Sequence, residues 1–219
     1  MRYRPDSERP MYARPLRTIS KRSSRGRILK DKGACYDLVL VGDSITHRWE
    51  NRENGAAVYP ALLGKYKVLN LGSGGDGTQN VIWRFENNGE LDDYTAKVFA
   101  VMIGVNNGAS DPEGLVRGVE KIVGMIRAKH PESKIVLQAI LPHGKNPRAH
   151  VHWTKVNPML RAYAEKNGFA WLDMGARFLG GDGEIKPGLM MPDKLHPVRS
   201  GYEIWLDALG PLVDRLLER

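Results

Sequence analysis

Apolar residues gather along this chain in short unbroken runs that alternate with longer stretches of helical period. Runs near 37–42, 66–71, 97–103, 134–141 and 169–173 have the length and β-branched content of strands. Between and after them, apolar positions recur three and four apart near 56–64, 77–87, 113–129, 148–167 and 200–217, which predicts amphipathic helices. The punctuation agrees. Asp111-Pro112-Glu113 offers a cap residue and a proline in the first turn. His130-Pro131 closes that helix, Asn167-Gly168 closes the next, and Gly180-Gly181-Asp182-Gly183 reads as a surface turn.

Strand and helix alternate, which predicts an α/β fold of three layers, a parallel sheet covered by helices on both faces. The first run, Leu38-Val39-Leu40-Val41, is continuous rather than alternating, as a doubly covered central strand requires. For five strands the expected order is the flavodoxin-like, doubly wound 2-1-3-4-5, with a crevice at the carboxyl edge between strands 1 and 3.

Chemistry-bearing residues collect at that edge. The first strand stops at Gly42-Asp43-Ser44, and far along the chain Asp193-Lys194-Leu195-His196 sets a carboxylate and an imidazole three residues apart. Together they supply the parts of a nucleophilic triad, with Ser44 as nucleophile, His196 as base and Asp193 as its orienter. The second strand runs into Asn70-Leu71-Gly72-Ser73-Gly74-Gly75-Asp76 and the third into Ile103-Gly104-Val105-Asn106-Asn107. Those strand ends can offer backbone and side-chain N–H groups to a developing oxyanion.

In these four blocks, taken in order, the chain resembles the SGNH hydrolases, also called GDSL-type esterases. Ser44, Gly75, Asn106 and His196 stand at the four name-giving positions, and the resemblance runs from about Asp37 to the end. Gly74-Gly75-Asp76 and Trp83-Arg84 are closest to the platelet-activating-factor-acetylhydrolase-like and carbohydrate acetylesterase branch. Ile45 departs from the usual leucine and keeps the position apolar. The resemblance implies a serine esterase acting on small O-acyl groups, acetyl first, and on a carbohydrate. Its oxyanion hole would be the N–H groups of Ser44 and Gly75 and the Asn106 amide, and it needs no cofactor. Asp43, His47, Asn107 and His143 are candidates to line the cleft. A lysophospholipase or thioesterase acting on longer chains is one alternative. A non-catalytic SGNH-like binding module is another.

Other motifs change little. Gly72-Ser73-Gly74-Gly75-Asp76-Gly77 has dinucleotide-loop spacing, but it follows the second strand, and no acidic residue ends the third for a ribose. His143, His150 and His152 lack a carboxylate or cysteine at ligand spacing, so no metal is expected. Trp49 and Trp83 read as core or rim. The net charge of +8 suggests a polyanion partner until it is located. Residues 1–34 hold eight arginines and three lysines against three acidic residues, while the remaining 22 basic and 22 acidic residues cancel. The expected organisation is therefore a basic N-terminal arm or linker, 1–34, and one hydrolase domain, 35–219, with no nucleic acid as partner. The single cysteine, Cys35, excludes an internal disulfide and is expected to be partly buried. No apolar run approaches the roughly 18 residues of a membrane span, and no signal-peptide core is visible. The chain as given thus reads as soluble, either cytoplasmic or secreted with its signal peptide absent from this sequence. Oligomeric state is not legible.

Overall fold

A computed structural model describes Ile28, residues 30–144 and residues 147–219. Most of the basic arm therefore lies outside the described residues, although Ile28 itself is fully buried in the hydrophobic core.

Five strands form one all-parallel sheet in the order β2-β1-β3-β4-β5. In chain order the elements are β1 (Cys35–Gly42), α1 (Ser44–His47), a 3-10 turn (Arg48–Glu50), α2 (Tyr59–Lys65), β2 (Val68–Asn70) and α3 (Thr78–Asn87). β3 (Thr95–Met102), α4 (Pro112–Lys129) and β4 (Lys134–Gln138) follow. The chain then forms α5 (Pro147–Val151), a π-helical turn (His152–Val156) and α6 (Asn157–Lys166). It ends with β5 (Ala170–Leu172), α7 (Gly175–Phe178) and α8 (Arg199–Leu216).

The expected strands and long helices are all present, each within a few residues of its expected bounds. Leu38 to Val41 show no exposed surface, because β1 is hydrogen-bonded on both sides and covered on both faces. Asp111 caps α4 by accepting from the Gly114 N–H at 2.7 Å, with Pro112 in the first turn.

Two expectations are corrected, and one short element is added. Helix 148–167 is interrupted by a π turn, in which the Asn157 N–H reaches back five residues to the His152 carbonyl. Two causes are visible. Pro158 has no N–H with which to continue the α ladder. The Asn157 side chain also bonds the Ile140 N–H at 2.9 Å and the Ile140 carbonyl at 3.0 Å, which pins the helix to the chain leaving β4. Cys35 is exposed, because it opens β1 at the amino edge of the sheet, away from the core. The short helix α1, too brief to show a period, begins at Ser44 itself.

At the carboxyl edge the backbone is packed against itself. A methyl group added at Gly42 would lie well inside contact distance of Thr46 Oγ1 and of the Met102 carbonyl, and one at Gly72 would overlap the His47 backbone. Only glycine lets β1 turn into α1 between β2 and β3. Replacing Gly42 with alanine should therefore cost about 1–3 kcal/mol or more, by the overpacking it forces. Urea titration measures this, and an unchanged midpoint would contradict the close approach.

Candidate active site

The turn after β1 is built around Asp43. Its buried carboxylate accepts from the Ile45 N–H at 2.9 Å and caps α1, while its carbonyl accepts from the His47 N–H at 2.9 Å. This fixes Ser44 at the first position of a helix, with its hydroxyl on the carboxyl edge.

The loop between α7 and α8 brings the partners. Ser44 Oγ and His196 Nε2 are 2.9 Å apart, and His196 Nδ1 and Asp193 Oδ2 are 2.6 Å apart. With the proton on Nδ1, Nε2 is the acceptor facing the serine hydroxyl. Asp193 Oδ1 in turn accepts from the Leu195 N–H at 2.9 Å and the His196 N–H at 3.0 Å. Partial burial pushes the Asp193 carboxyl up, but the hydrogen bonds from the His196 ring, the His196 N–H and the Leu195 N–H outweigh it. The group stays below its ordinary value and is an anion at neutral pH. The anion bonded to Nδ1 fixes the ring with Nε2 facing the Ser44 hydroxyl, the arrangement of a base set beside a nucleophile.

β2 and β3, which flank β1, end in the other candidate residues of this edge. Gly75 takes a positive φ of 82° in the turn after β2, in the left-handed region that favours glycine. Asn106 donates one amide hydrogen to the Asp76 carbonyl at 2.9 Å. Its amide carries two hydrogens, so the second can serve an oxyanion. Asp76 is held in turn: its carboxylate accepts from Arg84 Nε at 2.9 Å, and Arg84 also pairs with Glu90 and donates to the Leu71 carbonyl at 3.0 Å. All three charged side chains are buried. Burial pushes the Asp76 carboxyl up, and the Arg84 charge and hydrogen bond only partly offset it. The sequence reading did not assign this support to Arg84. A buried arginine flanked by two acids can be found only once the loop has folded.

The four candidates for lining the cleft are placed differently. His47 is exposed near Gly74. Asp43 lies beneath Ser44, committed to the α1 cap. Asn107 faces α3, accepting from the Thr78 N–H at 3.0 Å and donating to Thr78 Oγ1 at 3.0 Å, so its amide serves the fold. His143 is buried and paired with His152, ring nitrogen to ring nitrogen at 3.0 Å. Trp49 is wholly core, and Trp83 is half-buried. Among the described residues, no group of three or more His, Cys, Asp or Glu side chains could hold a metal ion.

Comparison with known proteins gives a consistent picture. The GDSL-like lipase/acylhydrolase family matches residues 40–204. Platelet-activating factor acetylhydrolase IB subunit alpha2 of Rattus norvegicus is 34% identical over 184 residues, which cover 83% of this chain and 78% of the relative. The human alpha1 subunit is 34% identical over 183 residues, covering 83% and 77% respectively. In fold, the chain is similar to a putative acylhydrolase from Bacteroides fragilis, with a TM-score of 0.72 at 17% identity, covering 93% of this chain and all of that one. It is also similar to an acetylxylan esterase from Geobacillus stearothermophilus, with a TM-score of 0.61 at 19% identity, covering 84% and 96%.

Burial, with the nearby Asp76 charge adding to it, pushes the Asp43 carboxyl up to about 7 despite its bond to Ile45. A carboxyl raised above its unfolded value of roughly 3.9 binds more protons in the folded state. Its contribution to stability is therefore full below about pH 4 and is lost as pH rises through about 7. The loss is about 1.4 kcal/mol per pH unit inside that window. Asp43→Asn, whose amide oxygen can still cap Ile45, should remove this slope. Urea midpoints of both proteins at pH 5 and pH 8 check it, and parallel slopes would contradict the raised carboxyl.

Proposed function

The chain belongs to the GDSL-like lipase/acylhydrolase family and is a carboxylic ester hydrolase, and from this premise we propose that it removes small acyl groups, acetyl first, from a carbohydrate through a Ser44-His196-Asp193 triad. The observation that carries the reading is the continuous row from Asp193 through both nitrogens of His196 to Ser44 Oγ, at 2.6 and 2.9 Å.

In this reading Ser44 Oγ attacks the ester carbonyl while its proton passes to His196 Nε2. The charge that forms on the carbonyl oxygen meets the N–H groups of Ser44 and Gly75 and the free hydrogen of the Asn106 amide. Collapse breaks the bond to the alcohol, which leaves with the proton from His196. Water then attacks the acyl-serine, giving a proton to His196, and the acid departs as Ser44 recovers that proton. Asp193 remains an anion throughout and keeps the imidazole in one tautomer. The preference for acetyl is supported by the word shared by the names of the relatives and of one fold neighbour.

Ser44→Ala should lower kcat by about 10⁴–10⁶ with an unchanged fold. Turnover of p-nitrophenyl acetate by the purified variant is the measurement, and near-normal activity would sink the assignment. Asn106→Ala should lower kcat by roughly 10²–10³ with little change in KM, because its amide is needed most when charge develops. An effect on KM alone would make Asn106 a substrate-binding residue instead. Across p-nitrophenyl esters, rate should fall from acetyl to butyryl and further to palmitoyl. A maximum at about eight carbons or more would favour a longer-chain hydrolase.

A further inference from the structure

A cavity of about 280 Å³ opens beside the catalytic loop and is not used by the triad or by the oxyanion donors. Its apolar lining includes Trp153, Met190, Met191 and Pro192, and its charged lining is Glu184, Lys186 and Lys194. Trp153, Met190 and Met191 are only half-buried, so apolar surface remains open to a ligand. Trp153 reaches the cavity from the π-helical turn, a local distortion that occurs frequently at functional sites. The volume is near the lower end of small-molecule pockets, which span about 300–1,000 Å³.

The chemistry of the triad says which part of an ester belongs there. The histidine must hand its proton to the departing alcohol, so the alcohol lies on the histidine's side of the carbonyl, and the oxyanion donors lie on the other. Here the donors come from the ends of β1, β2 and β3. The cavity is instead bordered by Met190 to Pro192, the residues that lead into Asp193 and His196. We infer that this cavity is the leaving-group subsite, and that it takes a cyclic alcohol with a flat apolar face laid against Trp153 and polar substituents turned toward Glu184, Lys186 and Lys194.

The inference rests on the esterase reading, and the test separates the two. Values of kcat/KM are compared for 1-naphthyl acetate, a monoacetylated methyl xyloside and ethyl acetate, all with the same acyl group. Because kcat/KM reports the steps through alcohol release, the ratio of a ring acetate to ethyl acetate isolates the alcohol. Trp153→Ala should lower that ratio about tenfold or more for the ring that fits, as expected for losing one aromatic contact. Met190→Ala should lower it in the same direction. Trp153→Tyr, which keeps an aromatic face, should restore most of it. Loss on the naphthyl ester identifies an aryl alcohol, and loss on the xyloside identifies a glycosyl one. Ratios unchanged for both rings in both alanine variants, with thermal midpoints intact, would overturn the subsite. If the wild-type protein hydrolysed no acetate, the esterase reading would fail by itself. Equilibrium dialysis of 1-naphthol would then decide: binding that is lost in Trp153→Ala upholds the subsite, and absence of binding removes it.

Discussion

The hydrogen bond between Ser44 and His196 joins two short loops 152 residues apart, and much of the carboxyl edge holds them in register. A proton can pass only if these atoms stay within about 3 Å, so neither loop can drift. Several contacts lock them. The Tyr202 hydroxyl on α8 donates to the Ile45 carbonyl at 2.6 Å, tying the helix after His196 to the helix that begins at Ser44. The Asn54 amide donates to the Pro197 carbonyl at 2.7 Å, and it shares Met191 Sδ with Arg48 at 3.3 and 3.4 Å. Beneath them Trp49 packs against Tyr202 and Trp205, with ring centroids 4.8 and 5.2 Å away. The histidine loop is irregular in outline, yet it is bonded to the segment that follows Ser44.

The side of the site that carries Asp76 and Asn106 is held by charge rather than by aromatic packing. Arg84 reaches Asp76, Glu90 and the Leu71 carbonyl from inside the protein, and the Asp76 carbonyl sets the Asn106 amide. Removing one partner from such a buried group leaves an uncompensated charge, which typically costs about 3–5 kcal/mol. The Asn70 amide adds a tie, donating to the Thr46 carbonyl at 3.1 Å while its oxygen accepts from the Gly72 N–H at 2.8 Å. The strand ends therefore do more than display residues: each is bonded to the loop beside it.

Much of this was legible from the chain. The sheet order followed from five apolar runs separated by helical periods, because a parallel strand covered on both faces cannot hide its composition. The residues at the strand ends were legible because small residues and amides interrupt those runs abruptly. The supports were not. Tyr202, Asn54 and Arg48 act through contacts across 137 to 157 residues, and no local period marks such a partner. Asn107 and His143 looked like cleft residues because they follow strand ends. Burial and pairing, which sequence order does not express, turned them to α3 and to His152. The π turn was hidden for a related reason: Asn157 and Pro158 fit a helical pattern, and only the bond from Asn157 to Ile140 shows what the helix yields to.

The central claim is that Ser44, made nucleophilic by His196, attacks acyl carbonyls. A fluorophosphonate reacts with such a serine and stays attached, so mass spectrometry of the digested protein reads the claim directly. The account predicts one stoichiometric adduct on the peptide carrying Ser44, and none at that position in the His196→Ala protein over the same interval. An unlabelled Ser44 in the folded wild-type protein, or equal labelling without His196, would contradict it.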